Sequence, residues 1–204
     1  MSEEKPWGAP ARAVQLTGGE PFIGLAGKTV MDFWRYSVPN LVTNTSRGLL
    51  AQYLVHTALG STTRPDEWDC YDVEGDDGLR VEVKASAYLQ SWEQRELSRV
   101  TFSVEKRRKW TSANGFSGEP THNADAYVFA VHTATRHEEY DPLDVSQWEF
   151  YVASRATIAE LNQKTAGLAT VRRIAAGPVP FGRLGELIRS AGHAEGADGA
   201  GTLM

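Results

Sequence analysis

The chain has 204 residues, 41% of them hydrophobic, and a formal net charge of −5. That is enough chain for one domain with a sizeable core. The acidic balance argues against a non-specific nucleic-acid coat protein, and no apolar run approaches the roughly 20 residues of a membrane helix.

Cys70 is the single cysteine. An intrachain disulfide is therefore ruled out, and a cysteine-built zinc site is disfavoured. Met1-Ser2-Glu3-Glu4-Lys5-Pro6 has no apolar signal core, so a cytoplasmic location is expected. Residues 1–12 read as a flexible arm and 13–191 as a single domain. Residues 192–204, with glycines among alanines, read as a disordered tail.

In chain order, Thr29 is a candidate cap for a short helix carrying Val30, Met31, Phe33 and Trp34, ended by Pro39. A longer helix is expected from about Thr45 or Ser46 to Leu59, with Gly60 as its stop. Leu50, Leu54 and Ala58 form its predicted stripe, widened by Leu49 and Tyr53. Asn44 is the expected cap, and Arg47 lies in the first turn, where backbone amides favour phosphate. Trp68 to Val73 and Leu79 to Lys84 read as two strands around a turn at Glu74-Gly75-Asp76-Asp77-Gly78.

A loop then enters a predicted short helix around Ser91–Glu96, and Val100–Val104 alternates as a strand. Lys106-Arg107-Arg108-Lys109-Trp110 is the densest basic run, expected at a solvated strand end or loop. Residues 111–123 read as a long loop. Tyr127–Val131 and Trp148–Val152 are buried-type strands, and Ser154 caps a helix with Ile158 and Leu161. Ala169–Ile174 reads as a small strand, and Pro180 opens a last helix with Leu184, Leu187 and Ile188. The fold class predicted is α/β, a central mixed β-sheet flanked by helices.

The chemistry lies in Glu82-Val83-Lys84. Alternation along a strand puts Glu82 and Lys84 on one face, and an upstream Asp across the hairpin joins them. Two carboxylates and an ammonium suit phosphodiester hydrolysis. The carboxylates offer oxygen ligands to Mg²⁺, the metal activates water, and the Lys stabilises developing charge. A hairpin with Val73 opposite Arg80 pairs Asp69 with Lys84 and favours Asp69 as the ligand; a one-residue shift selects Asp72. Without such a partner, Glu-x-Lys is more often an exposed ion pair. The five histidines show no metal-ligand spacing, and His132 and His137 are expected at the surface. Trp92 and Trp110 are the aromatic candidates for base stacking.

Asp69 followed by Glu82-Val83-Lys84, with Ser86 and Gln90, resembles the PD-(D/E)XK, or restriction-endonuclease-like, nuclease superfamily. The wider pattern resembles an uncharacterised bacterial group within it. It includes Asp32-Phe33-Trp34-Arg35, Arg47-Gly48, Trp68–Asp72, Ala124–Phe129 and Gln147–Val152, and spans about 29–190. The resemblance implies a restriction-endonuclease-like core and a metal-dependent endonuclease hydrolysing phosphodiester bonds in DNA, in restriction or phage defence. Carried over, Asp69 and Glu82 bind Mg²⁺ or Mn²⁺ and Lys84 assists the attacking water. Ser86, Gln90 and Arg47 contact nucleic acid. Gln52 stands where many members have a helical Glu, so charge at the metal site is reduced. Gln52 thereby keeps open a catalytically inactive nucleic-acid-binding module of the same fold. An RNA-directed nuclease is a third reading. DNA is the expected partner, and a homodimer matches the habit of such nucleases.

Overall fold

In the computed structural model, residues 15–63, 69–111 and 115–193 are described. The arm expected over 1–12 lies outside them. By internal contacts the chain divides between Asn40 and Leu41 into two units.

The described part of the first unit is a short turn and one helix. Pro21 bridges to Thr29, and the Phe22 amide donates to the Lys28 carbonyl at 3.0 Å. Helix α1 (Val30–Ser37) starts at Thr29, as its sequence predicts. The Thr29 amide and hydroxyl both donate to the Asp32 carboxylate, at 2.9 and 3.1 Å. A carboxylate in the first turn also suits the positive end of the helix.

The second unit is built on a five-stranded mixed sheet. Its strands are β1 (Val73–Glu74), β2 (Arg80–Ala87), β6 (Ala126–His132), β7 (Trp148–Ser154) and β9 (Ala176–Val179), in the order β1-β2-β6-β7-β9. β2 and β6 are parallel, and the other neighbours are antiparallel. All of β6 is buried, which accounts for its continuous apolar run. A strand covered on both faces has no polar side.

One face of the sheet carries helices α2 (Asn44–Leu59) and α5 (Phe181–His193). Val81, Val83, Val128 and Phe150 meet Ala51, Leu54, Val55, Leu184 and Ile188 there. Each large aliphatic side chain buried this way contributes about 1.5–3 kcal/mol. Gly185 lets the two helices approach, since a Cβ there would stand 2.1 Å from the Ala58 carbonyl oxygen. The buried stripe of α2 is Ala51, Leu54, Val55 and Leu59. Leu49 and Tyr53, expected to widen it, are 53% and 63% exposed. The cap also differs by one residue: the Thr43 hydroxyl, not Asn44, accepts from the Ser46 amide at 3.2 Å. The stop is as expected, with Gly60 in the left-handed region at φ 62°.

The opposite face packs Tyr127, Phe129 and Tyr151 against Phe102, Val104, Ile158 and Val171. Phe102 belongs to β3 (Thr101–Ser103), which pairs with β8 (Thr165–Gly167). Ile158 lies on α3 (Arg155–Leu161), whose Ser154 cap accepts from the Thr157 amide. Three expectations change on this side. Residues 168–174 form a helix, α4 (Leu168–Ile174), rather than a strand. Leu168, Val171 and Ile174 are spaced three apart and pack together on the core, a pattern that a helical face satisfies and a strand's two-residue alternation does not. Residues 91–96 contain no helix. The Gln94 amide is instead spent on loop backbone, accepting from the Gln90 amide and donating to the Tyr88 carbonyl. The predicted loop over 111–123 largely becomes β5 (Gly115–Thr121), paired with β4 (Arg107–Thr111).

At the far end, α5 continues to His193, so Gly192 and His193 are helical rather than part of a tail. The residues beyond lie outside the described chain. Among the described residues, no helix is long and apolar enough to cross a membrane.

Candidate active site

The hairpin register decides which carboxylate meets Glu82. Val73 lies opposite Val81 and Glu74 opposite Arg80. This is one residue away from the symmetric register that favours Asp69. Asp72 therefore falls beside Glu82, and its amide donates to the Val81 carbonyl at 3.0 Å. β1 is only two residues long, so the Val83 amide of β2 has no strand partner on that edge. The Asp72 carboxylate takes its place, with Oδ2 accepting from the Val83 amide at 2.7 Å. Asp69 is exposed and precedes the paired strand.

Asp72 Oδ1 accepts from Gln52 Nε2 at 3.0 Å. Gln52 therefore faces the hairpin carboxylate from α2 and is not merely solvated. Burial first, and the Glu82 charge second, push the Asp72 carboxyl up to about 6. Glu82 is 6% exposed, and its carboxylate is bonded to Lys84 Nζ. Arg107 Nη1, from β4, lies 3.8 Å from Glu82 Oε1. Sequence reasoning did not assign Arg107 to the site; the basic run 106–110 was the available signal. Glu82 and Lys84 line a crevice with Arg107, Thr121, Asn123 and Tyr127.

The strands beneath are clamped by a second cluster, which sequence reasoning also missed. Arg80 donates to Asp125 through Nε at 3.0 Å and Nη2 at 2.8 Å, and Arg155 Nη2 adds a bond at 2.7 Å. Burial raises the Asp125 carboxyl, but the Arg80 hydrogen bonds outweigh it and hold the group below its ordinary range. The clamp fixes the start of β2 against β6, two residues before Glu82.

Two expected nucleic-acid contacts turn inward. Arg47 is 2% exposed. Its guanidinium donates to Asn44 Oδ1, Gln90 Oε1 and the carbonyls of Val42 and Leu89, at 2.9–3.3 Å. It ties the start of α2 to the end of β2 and is not presented to a phosphate. Gln90 is also buried, with Nε2 donating to the Ala87 carbonyl at 3.1 Å. Ser86 is half-buried on β2, two residues beyond Lys84. His132, expected at the surface, is 0% exposed, with its ring stacked on Tyr140 at 4.0 Å.

A divalent cation fits the chemistry of Asp72 and Glu82. Both offer hard oxygen donors, and a buried and a half-buried carboxylate that repel each other gain from a cation between them. Among the described residues, no three His, Cys, Asp or Glu side chains cluster as a metal group. Compared with family models and with curated proteins, the sequence matches none.

Proposed function

We propose that the chain is a metal-dependent nuclease of the PD-(D/E)XK type, with a restriction-endonuclease-like core, hydrolysing phosphodiester bonds in DNA. One observation carries the reading: Glu82 is bonded to Lys84, and the hairpin register sets the half-buried Asp72 beside Glu82, its carboxyl raised by burial first and by the Glu82 charge second. Two acids and an amine thus share one electrostatic environment. The mixed sheet with α2 beside the hairpin agrees with the layout that the resemblance implies.

In this reading Asp72 and Glu82 hold Mg²⁺ or Mn²⁺, which supplies charge neutralisation for the scissile phosphate and acidifies water. Gln52 orients Asp72 through its 3.0 Å bond. Lys84 holds its ammonium beside the reacting phosphate, orients the attacking water and stabilises the charge that develops on the phosphoryl oxygens. Glu82 and Tyr127 are buried, and the lower dielectric around a buried carboxylate strengthens its interactions. A role in restriction or phage defence belongs to the same proposal.

The second reading, an inactive nucleic-acid-binding module, is favoured by Gln52, a neutral amide occupying Asp72 Oδ1. Nicking of supercoiled plasmid with Mg²⁺ or Mn²⁺ separates the two. Cleavage by wild type that is lost in Glu82→Ala and Lys84→Ala supports the nuclease. Absence of cleavage under either metal, with no heat of metal binding by titration calorimetry, overturns it.

A further inference from the structure

The basic run 106–110 has no part in the chemistry above except through Arg107, yet it shapes the surface next to the crevice. β4 and β5 form a two-stranded arm whose register shifts between Arg107 and Lys109. Such bulges bend a strand and re-aim its side chains. At the base of the arm lies a groove of about 490 Å³ whose lining includes Arg80, Lys106, Lys109 and Arg155. Among the described residues no Asp or Glu lines it. Asp125 pairs with both arginines. Lys106 and Lys109 are exposed and add their charges in full. A chain of net charge −5 therefore carries a concentrated positive groove.

The groove and the crevice are neighbours. Thr121 and Asn123 line both. Arg107 lines the crevice, one residue along from the groove's Lys106, and is 60% exposed along its side chain and 3.8 Å from Glu82. Clefts lined by one sign of charge concentrate ligands of the opposite sign. The ligand that fits a row of cations leading towards the Glu82–Lys84 pair is a repeating anion, not a single one.

We propose that this groove and the β4–β5 arm bind the phosphodiester backbone of a nucleic-acid strand and lead it to the Glu82–Lys84 crevice. The destination rests on the nuclease reading, whereas the backbone contact does not.

The test is fluorescence anisotropy of labelled duplex DNA, and of duplex RNA of the same sequence, with the full chain in EDTA across a salt series. Wild type is compared with Lys106→Glu/Lys109→Glu, with Lys106→Gln/Lys109→Gln, and with Arg183→Glu as a charge control outside the groove. The Glu pair should weaken DNA binding by about tenfold or more and lower the log–log salt slope by about 2, at roughly 0.9 per lost phosphate contact. The Gln pair should lose the same slope with a smaller loss of affinity. Wild-type affinity and slope in both pairs, an equal loss in Arg183→Glu, or no binding by wild type would overturn the proposal. Binding of RNA in place of DNA keeps the track and changes its substrate. A wild type that binds but never cuts retains the track and loses the nuclease. Double variants that cut with wild-type kcat/KM retain the nuclease and lose the track.

Discussion

Gln52 on α2 donates to Asp72 Oδ1 across a gap of 3.0 Å, joining the helix to the hairpin carboxylate. Replacing the amide by Glu keeps the shape and adds a third acid. Like charges at this separation disfavour each other. In EDTA, Gln52→Glu should lower Tm by several degrees, an effect on the order of 1–2 kcal/mol. Added Mg²⁺ or Mn²⁺ should recover that loss and raise Tm more than it does for wild type. Thermal melts with and without metal check this. Equal metal responses in the two proteins would contradict a cation beside Asp72.

Arg47 braces the start of α2 against the loop after β2, donating to the carbonyls of Val42 and Leu89. Arg47→Ala should destabilise the protein by about 3 kcal/mol, because the buried Leu89 carbonyl and the buried Gln90 side chain lose their common donor. At a temperature where the variant remains folded, its DNA affinity should match wild type. Urea melts and anisotropy read the two effects separately. Lost affinity with unchanged stability would return Arg47 to the phosphate role that its sequence position suggests.

His132 gives the pH prediction. Burial holds its ring below the ordinary 6.5, with the Arg47 charge acting the same way and the Asp141 carbonyl, Asp141 and Asp144 opposing. The unfolded chain therefore takes up a proton that the folded ring refuses. This contribution to stability is full above about 6.5 and is lost as pH falls from there towards the folded value. Tm of wild type relative to His132→Phe should fall between pH 7 and pH 5. His122, also depressed first by burial, remains in the variant and cancels from the comparison. A constant difference across that range would contradict the neutral buried ring.

Much of the fold is legible in the sequence where one local rule dominates. Thr29, Gly60, Ser154 and the apolar run of β6 all mark their elements correctly. The failures share a cause, which is that partners distant in sequence decided the outcome. β5 is rich in Gly and polar residues and becomes a strand only because β4 pairs with it. The α2 stripe rotates because the sheet and α5 meet Ala51 and Val55 rather than Tyr53. Glu82 and Lys84 were readable from alternation alone. Their acidic partner was not, since a one-residue slip in a two-residue strand exchanges Asp69 for Asp72. The inward turn of Arg47 was equally hidden, because burial is a property of the packed chain.

The most direct measurement is plasmid nicking in Mg²⁺ by wild type, Asp72→Asn and Asp69→Asn, each verified as folded by its melt. The account predicts that wild type cuts, that Asp69→Asn keeps most of that rate, and that Asp72→Asn loses about a hundredfold or more, as expected when a group serving the transition-state charge is removed. Full activity in Asp72→Asn, with the loss appearing in Asp69→Asn instead, would contradict it.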